Sequence, residues 1–464
     1  MRPNSAAARD VRNLLHGYVH LSKHRQSGPA VITGGKGVFV HDENGTPYLE
    51  AASGMWCTSM GFGEEALVEA ATEQMRKLPY YHTIASKSVN PAIDLAEKLT
   101  QMVPIKDARV YFALSGSEAN DFLVKFIWYY NNAVGRHAKK KIIGRINGYH
   151  GATVAASSLT GLRLNHRAFD LPIPNILHVS EPNHRRGARP GESHEEFATR
   201  LAEELEVTIL REGPETVAAF ILEPVTGAGG VIIPPPSYHA KIRAVLDRHD
   251  VLLLDDEVIT GFLRTGRMWG CETMGFRPDT MTLAKGLTSA YLPLSALVLS
   301  DEIYRGLEKG CDGIGFFAHG ATYSGHPVPC AVALRMLQLI EERDLAGHVA
   351  RVSRHFERRL RAFESHPLVG EVRAIGLMGA VELTADKKTN RDFSPVGSVA
   401  KRVRDRAEEG YNLIARAVPS GDSIAFSPPL IISESEIDDM TERFGKALDD
   451  VADALVREKA LATA

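Results

Sequence analysis

Between residues 61 and 325 the chain repeats one alternation: a short, almost wholly apolar run, then a stretch with helical spacing. The runs are RVYFAL, KKIIGRI, VAAFILEPV, VLLLDDEVI, TMTLAKG and LSALVLS. A strand with one wet face would alternate apolar and polar side chains. These runs do not, so both of their faces must be covered, and the pattern predicts a mostly parallel sheet between helices. Two regions flank it. The chain opens with a polar, helix-like segment to about Gly28, followed by VFVHDENGTPYLEA, two apolar stretches around Asn44-Gly45 that signal a hairpin. Beyond Pro327 come a long helical stretch (CAVALRMLQLIEERDLAGHVARVSRHFERRLRAF), short strands and a final helix. They read as a smaller α+β domain whose sheet the hairpin joins. The expected division is 1–60 for an N-terminal segment joining the small domain, 61–325 for a large domain and 326–464 for the small C-terminal domain.

A chain of 464 residues with 44% apolar content can bury a core of that size. Lys+Arg number 54 against 57 for Asp+Glu, and no block of one sign dominates. That argues against nucleic acid or an anionic membrane as a partner. The opening MRPNSAAARDVRNLL lacks the apolar core of a secretory signal, and the run 217–222 is too short to span a bilayer. Four cysteines (Cys57, Cys271, Cys311, Cys330) are scattered without disulfide or metal spacing, which points to a cytoplasmic chain with free thiols. His20 and His24 stand four apart on a probable helix, but no third ligand is near in sequence and no metal is expected.

The chemistry concentrates at the ends of the apolar runs. In LSGSEANDFLVKFIWYY, Ala119, Phe122, Leu123, Phe126, Ile127 and Tyr130 have helical spacing, and Ser115 with Glu118 fits a capping box. Gly116 and Ser117 then offer backbone N–H groups, and one hydroxyl, at the positive end of a helix that follows a strand. An ordinary capped helix would look the same. VLLLDDEVITG is a buried strand that ends in acids, and in open α/β sheets ligands gather at the carboxyl ends of strands. A carboxylate there can hold a pyridine nitrogen protonated; a solvated loop acid is the plainer reading. Lys285, past TMTLA, is either a turn lysine or a strand-end amine able to lose its proton. Tyr149 and His150 sit in a glycine-flanked turn after KKIIGRI, where a flat aromatic can stack on a planar ligand or pack on the core. EPVTGAGGVIIPP runs a strand into a loop whose glycines allow close backbone approach. An anion-binding helix start, a stacking aromatic, a strand-end carboxylate and a strand-end lysine are together the parts of a pyridoxal 5′-phosphate site.

The order of these blocks resembles the class III, or ω-, aminotransferases among the fold type I pyridoxal 5′-phosphate enzymes, most of all the amine:pyruvate group. GSEAND, GYHG, EPVTGAGG, LLLDDEVITGF with RTG, LAKGLTSAYLPL, HGATYSGHP, GLMGAVEL and GDSIAFSPPLII carry the likeness, from the hairpin onward. The resemblance implies that Lys285 holds the cofactor covalently and moves the protons, and that Asp256 pairs with its ring nitrogen. It puts Tyr149 and Val258 on the two ring faces, with His150 beside them, Gly116 and Ser117 on the phosphate, and Glu223 lining the site near Asp256. Thr322 is expected to reach the phosphate of a partner subunit, making a homodimer with shared active sites. Trp56 resembles an aromatic wall of the substrate pocket. Arg416 resembles an arginine on a mobile loop that binds a substrate carboxylate and swings away for an apolar amine.

The chain departs from the pattern at Leu263, in GFLRTG where the family has glycine, and at Ser295, in PLSA where it has PLGA. Ile84 and Ala85 stand where relatives carry bulky aromatics, implying a roomier pocket. The implied activity is ping-pong transamination between a primary amine or ω-amino compound and a keto acid, with pyruvate expected. The alternatives are an ω-amino acid enzyme (β-alanine, 4-aminobutyrate, taurine or a diamine), an isomerising relative, and, from another class, a non-catalytic phosphate-binding protein.

Overall fold

The computed structural model describes residues 4–418 and 420–458. Two short helices, Ala6–Asn13 and Leu21–Ser27, form an N-terminal arm. Strands β1 (Ile32–Lys36), β2 (Phe39–Asp42) and β3 (Pro47–Glu50) follow. The hairpin appears where Asn44-Gly45 signalled it. Asp42 Oδ1 accepts the Asn44 and Thr46 N–H groups at 2.8 Å each, and Gly45 takes a φ of +82° that an L side chain resists.

The six apolar runs become β4 (Arg109–Ala113), β5 (Lys141–Arg145), β7 (Val217–Leu222), β8 (Leu252–Asp256), β9 (Thr280–Leu283) and β10 (Ser295–Leu299). A seventh strand, β6 (Ile176–Val179), joins at the edge. Its sequence ILHV is only four residues long and is interrupted by His178, so the apolar-run criterion passes over it. The order is β4-β10-β9-β8-β7-β5-β6. Only β10 runs against its neighbours. Every side chain of β7, β9 and β10 is buried, as continuous apolar runs require. Adjacent β8 and β9 are parallel with Asp256 opposite Thr282, so Asp256 and Lys285 emerge side by side at one sheet end.

The long helical stretch beyond Pro327 is two helices, Pro327–Glu342 and Leu345–Arg361. They break at Asp344, whose backbone is left-handed (φ +43°) and whose carboxylate caps the second helix at the Gly347 N–H. Strands β11 (Val369–Ile375), β12 (Met378–Leu383), β13 (Leu413–Ile414), β14 (Arg416–Ala417) and β15 (Ser423–Phe426) then form an antiparallel sheet, β11-β12-β15-β14, while β13 leaves it. β13 pairs in parallel with β3, so the N-terminal hairpin shares its sheet with a C-terminal strand. The chain ends on the helix Glu434–Arg457, opened by a Ser433/Glu436 capping box. Among the described residues no helix is long and apolar enough to cross a membrane.

Buried Asp422 fixes the turn between β14 and β15. Its Oδ2 accepts the Gly397 N–H, and its Oδ1 accepts those of Val399 and Ala400, at 2.8 Å each, capping the helix Ser398–Tyr411. Asp422→Ala strands three donors and should destabilise the fold by about 3 kcal/mol. Asp422→Asn keeps the two bonds of one oxygen and should lose less. Chemical denaturation of the three proteins side by side checks the ranking; equal stabilities would remove Asp422 from this role.

Candidate active site

The pleat of β8 sorts its acids. Successive side chains point to opposite faces, so Asp255 and Asp256 part company. Asp255 enters the core, where neither oxygen finds a hydrogen-bond partner among the described residues. Burial, then the neighbouring Glu257 and Asp256, push its carboxyl well above the usual carboxylate range. Asp256 faces a cavity of about 470 Å³ at the sheet end. Three donors converge on it. Its Oδ2 accepts from His150 Nδ1 (2.8 Å) and Asn120 Nδ2 (2.9 Å), and its Oδ1 from the Val258 N–H (3.1 Å). Asn120 is locked in turn, since its Oδ1 accepts from Thr282 Oγ1 on β9 at 2.8 Å and its Nδ2 also reaches the His150 carbonyl. A carboxylate only accepts, so His150 carries a proton on Nδ1. Its buried Nε2 has no partner among the described residues.

The helix Gly116–Ala133 starts at the same cavity. Ser115 Oγ accepts the Glu118 N–H at 3.2 Å, but Glu118 reaches past Ser115 to the Leu114 N–H at 2.6 Å, so only half of the expected capping box forms. A Cβ on Gly116 would stand 2.8 Å from Val258 Cγ2. Nor does Gly151 have room: its φ is +142°, and a Cβ would meet Ser117 Cα at 2.7 Å. Ser117 Oγ accepts the Ala152 N–H at 3.0 Å, which leaves its own proton to donate. Two glycines thus keep a helix start, with its exposed N–H groups, open to an anion.

Glu223 follows β7. Its Oε1 accepts the Tyr149 N–H (3.0 Å) and its Oε2 that of Gly227 (2.9 Å), so one side chain joins the Tyr149 turn to the glycine-rich loop. Burial raises its carboxyl, and Asp256 adds to the effect. Burial, with the hydroxyl of Tyr18 close by, pushes the Tyr149 phenol up to about 12. Lys285 takes a left-handed backbone (φ +46°), a conformation costing a bulky residue roughly 1–3 kcal/mol. Its amine has no hydrogen-bond partner among the described residues, and burial lowers its pKa against the pull of Asp256 and Glu223. Trp56 closes another wall from the irregular helix Ser53–Trp56, with its indole N–H unpartnered among the described residues.

Arg416 also lines the cavity. It stands not on a mobile loop but on β14, paired with Ala425 of β15. The AVPSGD turn beyond it is tied down as well: the Val418 N–H reaches the Ser423 carbonyl at 3.0 Å and Ser420 Oγ the Gly229 carbonyl at 2.6 Å. Pro419 lies outside the described residues. Any swing therefore belongs to the side chain, whose Nη1 lies 2.9 Å from Met55 Sδ and whose buried Nε is unpartnered among the described residues. Burial disfavours its charge.

Every residue expected to hold the cofactor or substrate lines this cavity except Thr322. Thr322 is exposed, and its carbonyl accepts from Tyr80 Oη at 2.8 Å. Ile84 and Ala85 do not line this chain's cavity either; they lie on the exposed loop that packs on 320–326, beside Thr322. Of the two departures, Ser295 makes a bond that glycine could not, from its Oγ to the Ser115 carbonyl at 2.8 Å, which ties β10 to the anion-binding helix start. Leu263 is buried with φ +72°, a strained choice at a position where glycine is at ease. Tyr18 of the N-terminal arm lines the cavity unannounced by its sequence; an aromatic in a polar opening segment carries no signal.

The family model for aminotransferase class-III matches residues 21–448. A probable gamma-aminobutyrate transaminase 2 (mitochondrial) of Oryza sativa is 48% identical over 421 residues, 90% of this chain and 84% of that one. An uncharacterized aminotransferase of Sinorhizobium fredii is 42% identical over 97% of both chains. Among solved structures, the omega transaminase of Pseudomonas jessenii in complex with PMP superposes with a TM-score of 0.95 at 47% identity, covering 97% of this chain and 98% of that one. A thermostable omega transaminase variant engineered for asymmetric synthesis of enantiopure bulky amines superposes with a TM-score of 0.96 at 47% identity, over 97% and 100% of the two chains.

A depressed amine pKa makes Lys285 nucleophilic at a pH where exposed lysines are still charged. In the cofactor-free protein, a small amine-directed reagent at neutral pH should therefore modify Lys285 ahead of the surface lysines. Peptide mapping by mass spectrometry reads the order. Uniform labelling would show that the amine is not deprotonated.

Proposed function

The chain belongs to the class III aminotransferases, and from that premise we propose that it passes the amino group of a primary amine or ω-amino compound to pyruvate, in a cytoplasmic homodimer. It is an aminotransferase of fold type I, working by a ping-pong mechanism with pyridoxal 5′-phosphate. That membership sets aside the non-catalytic reading. When bound, the cofactor supplies the electron sink for the carbanion.

The residues fit the group. The observation that carries the reading is the meeting, in one cavity, of a carboxylate fixed by three donors, an unpaired amine and a glycine-floored helix start. Gly116 and Ser117 would bind the phosphate. Asp256, held by His150 and Asn120, would face the ring nitrogen and keep its proton in place. Tyr149 and Val258 would cover the ring faces, and Glu223 holds Tyr149 in position. Lys285 would attach the cofactor, then take the proton from the substrate carbon and deliver it to a carbon of the cofactor, a task suited to an amine whose pKa burial lowers. Trp56 would limit the amine's size. Arg416 would receive the keto acid's carboxylate in a paired, charge-assisted contact.

A second reading has its own support: plant relatives of 44–48% identity are named gamma-aminobutyrate transaminases. In that case Arg416 would serve a carboxylate on the amine as well. The homodimer rests on Thr322, which is exposed and does not line its own cavity, and on the exposed aromatics Tyr81, Phe316 and Tyr323. The cytoplasm rests on the four cysteines, all free.

Lys285→Ala should lower turnover by many orders of magnitude with the fold intact; near-normal turnover would sink the assignment. Arg416→Ala separates the substrate readings. A bidentate ion contact worth roughly 1.5–3 kcal/mol makes the pyruvate half-reaction weaker by about one to two decades. An uncharged amine should be little affected, whereas 4-aminobutyrate, if it is the substrate, should suffer alongside pyruvate. Stopped-flow spectra of each half-reaction read the split. No loss with pyruvate would mean that another residue holds the carboxylate. In sedimentation at assay concentration we expect a dimer, and a fully active monomer would contradict the shared site.

A further inference from the structure

The N-terminal arm brings together three metal-ligating side chains that have no part in the reaction. Asp10 lies on the helix Ala6–Asn13, His16 in the connecting segment 14–20, and His24 on the helix Leu21–Ser27. His16 Nε2 stands 3.0 Å from both Asp10 oxygens, and His24 Nε2 stands 3.3 Å from Asp10 Oδ1. All three ligand atoms lie within 4.8 Å of one another. The two rings are 4.3 Å apart and tilted by 46°, so each aims its Nε2 at the same carboxylate. A tetrahedral zinc ion with bonds of about 2.0–2.1 Å separates its ligands by roughly 3.3 Å. The spacings to Asp10 already match that edge. The His24 that sequence left without a third ligand acquires two partners through the fold, while His20 stays exposed at the helix start.

We propose that Asp10, His16 and His24 form a binding site for one divalent transition-metal ion of the zinc class, and that the ion staples the arm and holds Tyr18 at the mouth of the active site. Two imidazoles and one carboxylate suit zinc or cobalt, and suit calcium or magnesium poorly. The side chains are 13–28% exposed, open enough for the ion to enter and for water to complete its coordination. The arm has much to gain. Neither helix has a fully buried residue, and helices of 8 and 7 residues are marginal alone in water. Tyr18 lies two residues beyond His16, with its hydroxyl accepting from Asn165 at 2.8 Å and its ring lining the cavity beside Tyr149. An ion that fixes His16 therefore restrains the one cavity residue the arm supplies.

The test uses the full-length holoenzyme without a histidine tag. Titration with Co²⁺ should give one ion per chain, with the ligand-field bands of a four-coordinate site, displaced by Zn²⁺. Removal of even an outer partner of a metal ligand weakens binding about 10–100-fold, so His16→Ala and His24→Ala should each weaken it at least tenfold. Hydrogen exchange over residues 14–20 should slow on adding Zn²⁺ to the wild type, and not in the variants. Absence of binding, binding unchanged in both variants, or site-dependent binding that leaves the exchange of 14–20 unaltered would each overturn the proposal.

Discussion

A carboxylate taken out of water costs several kcal/mol unless donors replace the lost hydration. At Asp256 the replacement is complete and comes from three separate parts of the chain: Asn120 on a helix, His150 in a turn and the backbone of Val258. Asn120 can serve only because Thr282, on the neighbouring strand, holds its other end. The large sheet, the helix over it and the Tyr149 turn are therefore registered against one another by a single charge. The same turn is bound a second time through Glu223, which also fixes the glycine-rich loop. A network of this kind specifies geometry more than it adds stability. A heteroaromatic ring needs that precision of placement, because its nitrogen, its faces and its phosphate meet different residues.

Sterics complete what the hydrogen bonds begin. The helix start that faces the cavity is crowded on both sides, by Val258 against Gly116 and by Gly151 against Ser117. A methyl group at either glycine would push the turn or the strand end away. Ser295 strengthens the same corner by bonding the Ser115 carbonyl. The cofactor side of the cavity is accordingly rigid, and Lys285 can be held there in a strained backbone conformation.

That side was legible in the sequence for a physical reason. Continuous apolar runs announce doubly covered strands, and ligands collect at their carboxyl ends, so the acids of β8, Lys285, Tyr149 and Gly116 stood out as candidates from position, while their separate roles came from the resemblance to the class III aminotransferases. The strand period even separates Asp256 from Asp255 once one of them faces the cavity. Elements that depend on tertiary context were not legible. β6, four residues with a histidine among them, is too short to stand out. The break at Asp344 interrupts an unbroken helical pattern with one left-handed residue. Arg416 reads as loop because two residues of β14 leave no period, yet the β15 ladder fixes its backbone.

The substrate side differs in construction. Tyr18, Met55, Trp56 and Arg416 come from segments far apart in sequence, and none ends a strand of the large sheet. Arg416 carries a charge that burial disfavours, an unpartnered Nε among the described residues and only a thioether against its Nη1. Such a cation gains most when a carboxylate arrives and loses little when it turns out toward water. Tyr18 stands on an arm whose helices have no fully buried residue. The mouth of the cavity thus joins a partly buried cation with few partners to a segment with little holding it. A rigid cofactor floor beneath an adjustable mouth is what a ping-pong enzyme requires, since two unlike substrates must meet the same reactive atoms in turn.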